Sequence, residues 1–189
     1  MKIRRNLLLA IPLGALTTLA GWSSTMSTQA VRPVRATELH VVADDFVVDV
    51  WINGILLPTQ ARRLRNEHFG ATCETIPVQL RAGDWVAFHV VHNPLRWNGV
   101  CYFGVYAKDA RGQEAFTTRS GRDWYYCDDP AQAPDFVAHR GAGKQNVATK
   151  PERLWSEGAG KWPGMIGRAF PGDPIWGERP STWIKHVVR

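Results

Sequence analysis

From Thr37 the chain alternates apolar and polar side chains, the period of a half-buried strand. Thr37–Ala43 predicts one strand and Phe46–Ile52 a second, with Asp44-Asp45 as a polar break between them. Asn53-Gly54 supplies the two positive φ angles of a type I′ turn, so Ile55–Leu57 returns as a hairpin that Pro58 ends. On this spacing Val48, Val50 and Ile52 face one way, and Asp49 and Trp51 the other. Thr59–Phe69 departs from the alternation. Ala61, Leu64 and His68 fall on one side at helical spacing, which predicts a helix with Arg62, Arg63 and Arg65 in solvent.

Alternation resumes at Thr75–Leu80, and Arg81-Ala82-Gly83-Asp84 reads as a turn into the apolar run Trp85–His92. A polar loop, Asn93–Gly99, carries Pro94, Arg96, Trp97 and Asn98. Val100–Lys108, Gln113–Thr118 and Trp124–Cys127 follow as strands. Short strands separated by turn residues every ten residues or so predict an all-β, antiparallel β-sandwich, and no βαβ alternation is visible. Trp85, Trp124, Tyr102 and Tyr106 are expected in its core. Asp128–Lys150 is rich in Ala, Gly, Pro and Asp and reads as an insert without periodicity. The remaining segment, about 151–189, scatters Trp155, Trp162, Phe170, Trp176 and Trp183 among Gly and Pro. Tryptophan is costly to leave in water, so this irregular Trp-rich segment is expected to wrap back onto a core spanning about 37–127.

The first thirty residues change the compartment. A basic Met1–Asn6, an apolar Leu7–Ala20 and small residues ending in Thr28-Gln29-Ala30 form a signal-peptide pattern, too short for a spanning helix. Leu19-Ala20-Gly21 is followed by Trp22, where a lipid-anchored protein needs Cys. Residues 31–189 are therefore expected as one exported domain, periplasmic or extracellular. The formal charge of +6 falls to +3 without that leader, too little for a nucleic-acid partner. Cys73, Cys101 and Cys127 are an odd number, so one bridge at most can form, and three buried thiols are the alternative.

Motifs for chemistry are sparse. Gly141-Ala142-Gly143-Lys144 lacks the preceding Gly and the following Ser or Thr of a phosphate-binding loop. No nucleophile elbow is present, and Ser120 sits in an expected turn. The cysteine spacings fit no zinc motif, and His89 and His92, three apart in a strand, point to opposite faces. Asp44-Asp45 and Asp128-Asp129 are adjacent in extended chain and so point apart, and Asp44-Asp45 is expected to accept hydrogen bonds from turn backbone. No cofactor or metal is called for. A structural calcium at a loop carboxylate is the exception left open.

Val42-Ala43-Asp44-Asp45-Phe46 through Val50-Trp51-Ile52-Asn53-Gly54 resembles a strand-turn unit of galactose-binding-like jelly-roll domains, including lectin-type modules appended to bacterial glycoside hydrolases. Their next landmark resembles Leu80-Arg81-Ala82-Gly83-Asp84-Trp85-Val86-Ala87, with Trp85 in place of the usual Asn. His92-Asn93, Asn98-Gly99 and Cys101–Val105 follow in order. Phe116-Thr117-Thr118 through Arg122-Asp123-Trp124 and Phe170 through Ile175-Trp176-Gly177 resemble the later segments. The resemblance covers Glu38–Trp124 and implies a jelly roll that binds carbohydrate without catalysis, although this chain has no catalytic domain beside it and carries a large insert.

Sugar rings stack their C–H faces on Trp, and their hydroxyls take hydrogen bonds from Asn, Asp and Arg. Trp97, Arg96, Asn98 and Asn93 in the loop, with Trp51 and Asp49 on a strand face, are the expected contacts. An interaction protein docking a partner through the Trp155–Trp183 segment is the alternative. A small secreted glycoside hydrolase, needing two carboxylates in one cleft, ranks third.

Overall fold

The computed structural model describes residues 33–68, 71–96, 101–119, 122–145, 147–148 and 171–189. The fold that follows is that of the unit Arg32–Arg189. The expected leader, Trp97, Asn98, Ser120, Trp155, Trp162 and Phe170 lie outside the described residues.

Two antiparallel sheets carry the chain, as the alternation predicts. The strands are β1 (Val34–Asp44), β2 (Phe46–Ile52), β3 (Ile55–Leu56), β4 (Arg63–His68), β5 (Ala71–Arg81), β6 (Trp85–Val91) and β7 (Phe103–Lys108). After these come β8 (Glu114–Thr117), β9 (Trp124–Cys127), the helix α1 (Ala133–Val137), β10 (Lys144–Gln145), β11 (Val147–Ala148), β12 (Ile175–Trp176) and β13 (Ser181–Val187). The first sheet runs β11-β12-β7-β1-β5-β4, with β8 also paired to β7, and the second runs β10-β9-β13-β6-β2-β3. Asn53 and Gly54 have φ of 52° and 78°, the expected I′ turn.

Alternate residues of both sheets meet in one core. Leu39, Val41, Ile76, Leu80, Phe103 and Val105 come from the first sheet, and Val47, Val50, Phe88, Val90, Trp124 and Ile184 from the second. Phe88 and Phe103 meet across the interface with ring centroids 5.0 Å apart. The first sheet is buried on its other face too, where His40, Val42, Cys73, Thr75 and Tyr106 are each at most 5% exposed. The second sheet's outer face is only partly covered.

Four expectations need correction. Thr59–Phe69 is not a helix: a 3-10 turn at Thr59–Ala61 leads into β4, whose residues Arg63–His68 pair with β5. The adjacent β5 supplied a hairpin ladder, from His68–Ala71 to Arg63–Thr75, that outweighed the helical spacing. Arg62 is buried rather than solvated. Its side chain is 7% exposed and forms a two-pronged ion pair with Glu74, 5% exposed, with Nε to Oε2 at 2.7 Å. Third, Val48 does not share a face with Val50. A bulge between Val47 and Asp49 turns Val47 inward and leaves Val48 44% exposed. The bulge removes two carbonyls from the ladder, and Arg62 takes both, donating to Val48 O at 2.8 Å and Val47 O at 2.6 Å. Fourth, the Trp-rich segment does not merely wrap. Trp176 is core, and β13 is an interior strand between β9 and β6. The insert likewise carries α1, β10 and β11.

His186, on the inward face of β13, stacks on Trp124 at 4.6 Å and against Phe116 at 4.4 Å. Its Nδ1–H donates to Asp123 O at 2.9 Å. Burial pulls its pKa down to about 4 from 6.5. As pH falls below 6.5 the unfolded chain takes up a proton that the folded chain refuses until about 4. Stability therefore falls with pH across that window, by roughly 3 kcal/mol from this group. Asp44, whose pKa burial pushes up to about 6, acts in the opposite direction, so the effect is read as a difference. In urea unfolding at pH 7 and at pH 4.5, His186→Phe is expected to lose less stability on acidification than the natural chain. Equal losses would refute the assignment.

Candidate functional site

Register places the side chains of the second sheet's outer face in rows. One row runs Asp49, His89, Trp183, Cys127 across β2, β6, β13 and β9. The next runs Trp51, Ala87, Lys185, Tyr125, with Leu56 beside Trp51 at the edge. The alternation correctly put Asp49 and Trp51 on one face, and both are half-buried there. Trp183 and His89, which the sequence reading did not assign, form the centre of the face. Their rings stack nearly parallel, 4.3 Å apart at 5°.

His89 is held from both sides. Its Nε2 lies 2.9 Å from Ser181 Oγ, and Nδ1 lies 3.8 Å from Asp49 Oδ2. Burial lowers its pKa, which favours the neutral ring at neutral pH. Asp49 is 39% exposed at its side chain and presents a carboxylate at the rim of the stacked pair.

The other end of this face is capped by α1. Phe136 and Val137 pack on Ala87 and Cys127, with Trp51, Tyr125 and Trp183 against the same cluster. Lys185 is buried beneath the helix, donating to Phe136 O at 2.8 Å and to Gly141 O at 3.3 Å, with Nζ 4.1 Å from the Phe136 ring centroid. Its pKa is pulled down to about 8 by burial. Trp85 belongs here and not in the core: it is half-buried, stacks on His139 at 5.0 Å and donates Nε1–H to Val137 O at 2.8 Å. Trp124, Tyr102 and Tyr106 are buried as expected.

A second cluster lies where the chain passes from the first sheet to the second. Asp45 adopts the left-handed region at φ 65°, which Asp tolerates better than most residues, and this turns β1 into β2. Asp44 N–H donates to Tyr102 O at 2.8 Å. Asp45 Oδ2 accepts from Asn93 N–H at 2.5 Å, the turn-backbone role expected of this pair. The same oxygen lies 2.9 Å from His92 Nδ1, and Asp44 Oδ2 lies 3.7 Å from it. The Cys101 thiol hydrogen-bonds Asp44. Burial, then the two carboxylates, push that thiol far above its usual range, the reverse of an activated cysteine nucleophile. All three cysteines are buried free thiols.

Asn93 donates its backbone N–H to Asp45 Oδ2, and its Oδ1 accepts from Leu95 N–H at 3.0 Å. Arg96 closes a short 3-10 turn, Pro94–Arg96. Among the described residues no helix is long and apolar enough to cross a membrane. No protein-family model, curated protein or solved structure matches this chain, so the reading of its site rests on its own geometry.

Proposed function

We propose that the chain is an exported, non-catalytic carbohydrate-binding module of the galactose-binding-like, jelly-roll kind, and that it takes its saccharide on the outer face of the second sheet. The observation that carries the reading is the stacked Trp183–His89 pair with Asp49 and Ser181 at its edges and Trp51 in the adjacent row. A sugar ring needs a flat apolar surface for its C–H face and fixed acceptors and donors for the hydroxyls around it. A strand face supplies both from a rigid scaffold. Trp97, Arg96, Asn98 and Asn93 remain part of the proposal as contacts from the loop that begins at Asn93, after the end of β6.

Binding of the purified chain to a broad glycan array is the test, with Trp183→Ala and Trp97→Ala run alongside. Trp183→Ala is expected to weaken binding about tenfold or more, the scale of losing one stacked aromatic surface. Binding abolished by Trp97→Ala but untouched by Trp183→Ala would move the site to the loop. Silence from a chain shown to be folded would sink the carbohydrate reading. A protein partner would then lead, favoured by the exposed apolar side chains Phe46, Val48, Ile55 and Leu56 along β2 and β3.

A further inference from the structure

We propose that the pocket at the β1–β2 crossover is a transition-metal site, with Asp44, His92 and Cys101 as its ligands and zinc as the metal that suits them. One donor atom from each residue lies within 4.8 Å of the others. Tetrahedral zinc holds such donors roughly 3.5 Å apart, so small side-chain adjustments would close the set. The three come from separate strand ends: the last residue of β1, the residue after β6, and the segment entering β7. All three residues are at most 9% exposed.

The chemistry of the donors decides the class of metal. A thiol, an imidazole and a carboxylate are the mixed soft and borderline ligands of zinc, whereas calcium and magnesium take oxygen. The structural calcium left open from the sequence therefore does not fit here. Geometry points the same way: the Asp45 and Asp44 carboxylates both approach His92 Nδ1, at 2.9 and 3.7 Å, so the donors already converge on one point between the strand ends.

Asp45 completes the arrangement from outside the ligand set. Its Oδ2 meets both the Asn93 N–H and the His92 ring, the carboxylate–histidine contact that orients metal-binding imidazoles. Three protein ligands leave one tetrahedral position for water. The site would pin the crossover between the sheets to the strand end from which the Asn93 loop departs, and it is independent of the carbohydrate reading.

The full chain, reduced and stripped of metal, is titrated with zinc and separately with cobalt. Zinc is expected to remain bound at one ion per chain through gel filtration, and cobalt to give the near-ultraviolet charge-transfer absorption of a thiolate ligand. Cys101→Ser should abolish that absorption and weaken zinc binding about tenfold or more, while Cys73→Ser and Cys127→Ser leave both in place. Should Cys101→Ser fail to fold, Asp44→Asn reads the same ligand set by loss of zinc affinity. Zinc lost on gel filtration, a cobalt complex without thiolate absorption, or binding indifferent to Cys101 and Asp44 would each overturn the proposal.

Discussion

A chain ending at Pro180 is expected not to fold. What is removed includes β13, which pairs with β6 along its whole length from Ser181 to Val187 and with β9 from Trp183 to His186. Its deletion takes Thr182, Ile184, His186 and Val188 out of the interior, all at most 6% exposed. It also leaves the facing edges of β6 and β9 without partners. Buried backbone groups without hydrogen bonds each cost about 1–3 kcal/mol, and losing one large buried apolar side chain costs another 2–5 kcal/mol. A domain with about 5–15 kcal/mol of total stability does not survive that sum. The measurement is circular dichroism with thermal unfolding of the truncated and full chains. A cooperative transition in the truncated chain would show that β13 is an accessory strand and not a structural one.

Arg62→Met is expected to cost about 3–5 kcal/mol, because it leaves the Glu74 carboxylate buried without its partner. The guanidinium does two jobs at once. It neutralises a carboxylate of the first sheet and donates to the Val47 and Val48 carbonyls freed by the β2 bulge in the second. Arg62→Lys should recover only part of the loss, since an ammonium cannot reproduce the planar fork that meets the carboxylate and two carbonyls together. Adding Glu74→Leu to Arg62→Met removes the stranded charge and should regain stability over Arg62→Met alone. Chemical denaturation of the four proteins decides the matter. A loss below about 1 kcal/mol for Arg62→Met would mean that the pair behaves as a solvated one.

These two regions also mark where sequence legibility ended. The strands β2, β6 and β9 and the Asn53-Gly54 turn were readable because they depend on local alternation and turn chemistry. β4 was not. Ala61, Leu64 and His68 happen to fall at helical spacing, and that pattern hides the hairpin that Arg63–His68 forms with the adjacent β5. β13 was missed because Lys185 and His186 interrupt its pattern with two residues that read as solvent-facing. Both are buried, one under α1 and the other between aromatic rings.

The candidate site divides in the same way. Asp49 and Trp51 could be placed on one face from their own strand. Their partners could not, because His89 and Ser181 meet across 92 residues of chain. The Asp44-Asp45 pair was legible as a turn acceptor, which Asp45 is. Its convergence with His92 and Cys101 depends on three strand ends meeting, and the Cys and His spacings carry no trace of that.

The position of β13 has a kinetic consequence as well. Each interior strand of a sheet can be closed only when both neighbours and the strand itself are present, and here the strand that joins β9 to β6 follows both of them in the chain. The second sheet therefore cannot be completed from its N-terminal side: β3, β2 and β6 can pair, but β9 and β10 join them only through β13. It must wait for a contact of high sequence separation, which raises contact order and slows folding. Until that contact forms, the facing edges of β6 and β9 stay open to aggregation. A single late strand thus sets when this molecule commits to its shape.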